Sequence, residues 1–175
     1  MRVLAFFGYS NSGKTAVLSE VISKLSDMGY RVGVVKHSDK NFQVDVEGKD
    51  SHRLYNAGAD VFVLSPVKMA MHTHDGLELE DAVRYLDGCD ILLAEGFKKS
   101  FRDGVMVVKN REEFEDLTNT VIRNENKSLD KFISPKIHLV ICLGENIDGL
   151  TSYRVVSSDE IDKIVEFVVQ FFKKV

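Results

Sequence analysis

Gly8-Tyr9-Ser10-Asn11-Ser12-Gly13-Lys14-Thr15 closes the apolar run Val3–Phe7 and opens a segment with helical periodicity. Its spacing is that of the phosphate-binding loop, G-x-x-x-x-G-K-[ST]. Each residue type answers a separate need. The glycines let the backbone curl so that successive N–H groups converge on phosphate oxygens. The helix that follows contributes unpaired N-terminal N–H groups and the positive end of its dipole. Lys14 is placed to reach the β- and γ-phosphates, and the Thr15 hydroxyl to enter a Mg²⁺ shell. The bare pattern arises by chance in about one chain in two hundred of this length, and the flanks narrow that further. Val3–Phe7 reads as a buried strand, while Val17, Leu18, Val21, Ile22, Leu25 and Met28 form one helical stripe over 16–28. Gly29 stands where a helix-terminating glycine belongs. A nucleotide or other phosphate ligand is the expected partner of this loop, with Gly8, Asn11, Ser12, Gly13, Lys14, Thr15 and Ala16 as its contacts.

Outward from the loop the chain alternates strands with helices. Arg31–Lys36 is a second strand, and strand–helix–strand over this length is the right-handed parallel crossover. Segment 39–48 is polar, with Phe42, Val44 and Val46 alternating, which fits a short strand or an ordered loop. Lys49–Ala57 reads as helix, Val61–Leu64 as a third strand and Leu79–Leu86 as a helix closed by Gly88. Further strands are expected at Asp90–Glu95, Val105–Val108 and Lys136–Leu143. Residues 110–134 carry a weak pattern: a helical turn at Glu112–Leu117 within a surface excursion that is open to use as a lid or a dimer arm. A last helix starts near Ser157, with Glu160 set for a capping box and a stripe at Ile161, Ile164, Val165, Val168 and Phe171-Phe172. The series predicts an α/β, three-layer P-loop NTPase fold, a mostly parallel sheet flanked by helices, as one domain over residues 1–175.

Composition bounds the function. A net charge of −4 over 175 residues argues against a general nucleic-acid binder. No apolar run approaches the ~18 residues of a membrane span, and Met1-Arg2 leads directly into strand 1 without a signal-like segment. A cytoplasmic location is therefore expected. Cys89 and Cys142 match no metal or redox spacing and read as small core residues.

Several other residues invite chemistry. Asp90–Glu95 is an apolar strand ending in an acid, the form of a Walker B element, which carries a carboxylate to Mg²⁺ or its waters. Lys36 and His37 end the second strand on the side where ligands bind in open α/β sheets, and either contact an anionic group or are solvated. Asp50 suits a helix N-terminus better than a ligand, and Lys98-Lys99 suits solvated surface. His72-x-His74-Asp75 has too few ligands for a metal site. Asn126-Lys127-Ser128-Leu129-Asp130 misses the guanine-reading N-K-x-D by one residue; Asn146, after the Lys136–Leu143 strand, is topologically placed to reach a base.

Four blocks together resemble one family. Gly-Tyr-Ser-Asn-Ser-Gly-Lys-Thr (8–15), Arg-Val-Gly-Val-Val-Lys-His (31–37), Gly-Lys-Asp-Ser-His-Arg (48–53) with Ala-Gly-Ala-Asp (57–60), and Ala-Glu-Gly-Phe-Lys (94–98) are similar in order and spacing to MobB, the molybdopterin-guanine dinucleotide biosynthesis protein B family. The resemblance implies a dimeric, GTP-binding P-loop protein with weak GTPase activity. It would assist a MobA-type guanylyltransferase in joining a guanine nucleotide to molybdopterin in molybdenum cofactor maturation. By motif it gives the phosphate role to Gly8–Thr15 and the Mg²⁺ role to Thr15 and Glu95. Asp45 matches a family acid that orders Mg²⁺ or the attacking water, so Lys14, Asp45 and Glu95 are expected to carry any hydrolysis. GTP over ATP rests on the resemblance. The competing readings are a P-loop small-molecule kinase, which would need an arginine-rich lid, and a metallochaperone GTPase holding metal at His72 and His74.

Overall fold

The structure, a computed structural model, describes residues 2–38, 42, 45–76, 78–97, 102–125, 136–144, 147, 150 and 152–173. The chain divides into two compact units, one formed by Met1–His37 with Val83–Val175 and the other by Ser38–Ala82.

The first unit is built on β1 (Leu4–Phe7), α1 (Lys14–Asp27) and β2 (Val32–Lys36). The other elements of the chain, in order, are α2 (Asp50–Asn56), β3 (Val61–Leu64), β4 (Met69–His72), α3 (Leu79–Arg84), β5 (Ile91–Glu95), β6 (Asp103–Val108), α4 (Arg111–Glu125), β7 (Lys136–Cys142), β8 (Val155–Ser157) and α5 (Ile161–Lys173). Six strands form one sheet in the order β2-β5-β1-β6-β7-β8, and every neighbouring pair is parallel. Helices cover both faces, so the central strands are near-continuous apolar runs rather than alternating ones.

The two-residue period of the strands sorts the core. Leu4 and Phe6 of β1, Ile91 and Leu93 of β5, Val105 and Val107 of β6, and Leu139 and Ile141 of β7 point to one face. There they meet Val17, Val21 and Leu25 of α1 and Ile164, Val168 and Phe171 of α5. Continuing the same alternation, Glu95 falls on the α1 face. Helix α1 ends as its sequence indicates. Gly29 takes φ +88, and the N–H of Tyr30 reaches back to the Leu25 carbonyl at 3.1 Å, the Schellman closure.

Three expectations are corrected. The strand Val61–Leu64 does not extend the parallel series. It pairs antiparallel with Met69–His72 in a separate two-stranded sheet in the second unit, turned by Ser65–Lys68, where Ser65 N donates to Lys68 O at 2.8 Å. The single helical turn at Glu112–Leu117 is in fact helix α4, Arg111–Glu125. Asn110 Oδ1 accepts from Glu113 N at 2.9 Å while Glu113 Oε2 accepts from Lys109 N at 2.8 Å, a reciprocal start. Phe114, Leu117 and Val121 then form a narrow buried stripe that the surrounding charges mask in the sequence. Finally, β8 stands where helix was expected to begin. Ser157 N does donate to Glu160 Oε2 at 3.1 Å, but helical geometry starts only at Ile161.

Among the described residues no helix is long and apolar enough to cross a membrane. Both cysteines are free thiols, Cys142 buried and Cys89 partly so.

Candidate functional site

The phosphate-loop sequence connects the central strand β1 to the N-terminus of α1, and its backbone takes the curled path the motif requires. Asn11 has φ +59 and Gly13 φ +72, left-handed conformations that turn consecutive N–H groups the same way. Gly13 also lies under Leu143, whose Cδ1 would be 3.0 Å from any Cβ there. Ser12 is fully buried, and its hydroxyl accepts from Lys14 Nζ at 3.2 Å; the same ammonium donates to the Tyr9 carbonyl across the loop. Thr15 and Ala16 are exposed in the first turn of α1.

Glu95 ends β5, the strand beside β1. Its residue exposure is 8%, and with Ser12 and Lys14 it completes the buried polar residues among those described. Burying a carboxylate is costly unless it is bonded and balanced. Here Thr15 Oγ1 donates to Oε1 at 2.6 Å, and Lys36 Nζ reaches both carboxylate oxygens at 3.1 Å. Lys36 is the register partner of Glu95 across the parallel β2–β5 pair, which puts both on the α1 face. The His37 N–H donates to the Glu95 carbonyl at 2.9 Å and ties the two strand ends together. Beyond Glu95 the chain turns at Gly96 (φ +95) and Phe97 (φ +55), the latter a conformation rare for a bulky residue. The Phe97 ring lies 5.1 Å from that of His37.

The structure thus brings Gly8, Asn11, Ser12, Gly13, Lys14, Thr15, Ala16, Lys36, His37 and Glu95 to the C-terminal edge of one sheet. A hydroxyl and a carboxylate 2.6 Å apart are hard oxygen donors that fit Mg²⁺. The left-handed turns at Asn11 and Gly13 and the Lys14 ammonium fit a polyphosphate. The Lys36–Glu95 pair is a feature that inspection of the sequence missed: each residue reads separately as the end of a strand, and only the register joins them.

Asp45 belongs to the second unit. Its Oδ1 accepts from Val46 N at 2.7 Å, and a hydrogen bond from the Ser51 hydroxyl is the main cause holding its carboxyl below the usual range. In the same unit the His74 ring stacks on Tyr55 at 4.1 Å, and His72 meets Tyr55 edge-on at 5.8 Å. Among the described residues no group of three His, Cys, Asp or Glu side chains is arranged to hold a metal ion. Asp50 lies in the first turn of α2. Lys98, Lys99, Asn126–Asp130 and Asn146 lie outside the described residues.

A parallel sheet in this order, with the glycine-rich loop leaving its central strand and an acid ending the neighbouring strand, defines a P-loop NTPase fold of the α/β class. The family model for molybdopterin guanine dinucleotide synthesis protein B, MobB, matches residues 3–126, and the chain belongs to that family. A molybdopterin-guanine dinucleotide biosynthesis adapter protein of Haemophilus influenzae is 38% identical over 102 residues, covering 55% of this chain and 57% of its own. The Escherichia coli protein of the same description is 36% identical over 116 residues, covering 58% and 66%. The match thus spans about three fifths of the length of these curated relatives. A crystal structure of molybdopterin-guanine biosynthesis protein B superposes with a TM-score of 0.70 at 31% identity, covering 98% of this chain and 99% of that one.

Proposed function

We propose that the chain, acting as one nucleotide-binding domain, binds GTP with Mg²⁺ and serves as an adapter in molybdopterin guanine dinucleotide synthesis, hydrolysing GTP slowly. The observation that carries the reading is the buried Glu95 carboxylate at the sheet edge, where the exposed Thr15 and Lys36 side chains meet it beside the Lys14 loop. Backbone amides of Gly8–Lys14 and the Lys14 ammonium hold the β- and γ-phosphates. Thr15 and Glu95 hold Mg²⁺ directly or through water. When bound, that ion neutralises phosphate charge. Glu95 orients the attacking water; on the sequence match alone, Asp45 is the second acid for that role or for the metal. His37 contributes to the anion-binding edge of the site. The loop Gly8–Thr15 carries no arginine, and P-loop GTPases without a supplied arginine run ~10³–10⁵-fold below their stimulated rate. Slow turnover suits an adapter.

The same reading places the protein in the cytoplasm as a homodimer that works with a MobA-type guanylyltransferase on molybdopterin. The apolar hairpin β3–β4, which exposes Phe62, Leu64, Val67 and Met69, supports self-association. Calorimetric titration with GTP, GDP and ATP in Mg²⁺, with single-turnover hydrolysis on the same sample, tests the reading. Guanine preference with turnover below about one per minute is expected. Equal ATP binding with fast turnover on small acceptors would instead indicate a kinase.

A further inference from the structure

We propose that Lys36 is the resident counter-cation of Glu95, and that Mg²⁺ must displace it when a nucleotide is loaded; this rests on the nucleotide reading above. The Glu95 side chain is 11% exposed and fixed between β2 and β1, whereas that of Lys36 is 59% exposed. Thr15 brings a hydrogen bond to Glu95 but no charge. Compensation of the buried carboxylate therefore comes from the Lys36 ammonium, which spans both oxygens at 3.1 Å.

Oε1 accepts from both Thr15 and Lys36, so an ion held by Thr15 and Glu95 would enter beside the ammonium. A divalent cation and an ammonium at one carboxylate repel each other at short range, so metal and ammonium compete. The asymmetry in exposure decides which one moves. Glu95 is held by the sheet and by Thr15, while Lys36 ends in solvent on a four-carbon stem that can swing away. Its backbone stays in register, with His37 N bonded to Glu95 O, so only the side chain has to leave. The consequence is a site with weak affinity for metal alone. Phosphate oxygens must join Thr15 and Glu95 before the ion wins. Lys36 thus acts as a positioning residue for Glu95 that makes metal and nucleotide load together.

The test is the Mg²⁺ dependence of binding of a fluorescent GDP to the full chain. GDP is chosen because it lacks the γ-phosphate, which removes any direct contact of Lys36 with that group. Lys36→Met should reach half-maximal binding at roughly three- to tenfold less Mg²⁺ than the wild type. Lys36→Arg, which keeps the charge, should stay within about twofold. A Lys36→Met protein that needs the same or more Mg²⁺ overturns the proposal. Acetylation of lysines in the wild-type chain, read by mass spectrometry, gives an answer independent of how the variants fold. Lys36 labelling should rise when Mg²⁺ is added to the GDP complex; unchanged or reduced labelling also overturns the proposal. Wild-type protein that binds no GDP at any Mg²⁺ concentration would overturn the nucleotide reading itself, and this inference with it.

Discussion

Gly8 stands against the carbonyl of Val107: a Cβ at Gly8 would fall 2.2 Å from that oxygen and 3.1 Å from Ser12 Oγ. The contact arises because β1 and β6 are parallel neighbours, with Phe7 registered on Met106, so the loop leaves β1 grazing the next strand. The first glycine of the motif is therefore a requirement of sheet packing as well as of phosphate approach.

Gly8→Ala should consequently destabilise the fold by about 2 kcal/mol or more, because a backbone oxygen cannot yield as a side chain can. Gly76→Ala, with nothing within 4 Å of the added carbon, should stay within about 0.5 kcal/mol of wild type. Urea denaturation of the two variants checks the contrast, and equal losses would contradict the packing argument.

Lys14→Ala removes the ammonium bonded to Tyr9 O and Ser12 Oγ. GTP affinity should fall by about 3 kcal/mol, ~100-fold or more, with the far-ultraviolet circular dichroism unchanged. Unaltered GTP affinity in calorimetry would remove the loop from the site.

Glu95→Gln and Thr15→Val each keep their side-chain shape while losing an oxygen donor suited to Mg²⁺. Both should flatten the Mg²⁺ dependence of GTP binding, and Glu95→Gln should lower single-turnover hydrolysis by about 10²-fold. Full Mg²⁺ dependence retained in both variants would exclude this pair as the metal ligands.

Helix α5 carries a pH-dependent contribution at its start. A hydrogen bond from Lys163 first, and then the Ser157 N–H, lowers the Glu160 carboxyl below its ordinary 4.5. A carboxylate lowered on folding stabilises the protein above its unfolded pKa, and that contribution is lost as pH falls through the folded one. The difference in thermal midpoint between wild type and Glu160→Gln should therefore be largest above about pH 5 and shrink as the pH is lowered through 4. A constant difference across that window would contradict the assignment.

The β3–β4 hairpin puts Phe62, Leu64, Met69 and Met71 on one face, through the pairs Phe62–Met71 and Leu64–Met69. If that face joins two copies, burying each large side chain is worth about 2 kcal/mol. Light scattering should then show a dimer for the wild type and a monomer for the double variant Phe62→Lys, Leu64→Lys. A wild-type monomer, or a variant that remains dimeric, would rule this face out.

Much of the candidate site is legible in the sequence, because its signals are local. The glycine spacing and Lys14-Thr15 describe a backbone path, and the apolar run ending at Glu95 describes a buried parallel strand. Only part of helix α4, the turn at Glu112–Leu117, is legible, because Phe114, Leu117 and Val121 alone carry its pattern among many charges. The three-residue β8 was too short to show a period at all.

The phosphate loop, the alternation of strand and helix, and the family are all written in residues close together in the chain. Tertiary structure alone decided two matters. The strand Val61–Leu64 forms its own hairpin, because an antiparallel partner begins at Met69 after only four intervening residues. Lys36 meets Glu95 across 59 positions of sequence, because strand register, which no local pattern encodes, sets two chain ends side by side. Register is settled by the packing of whole strands against their helices, and so is the electrostatic character of this site.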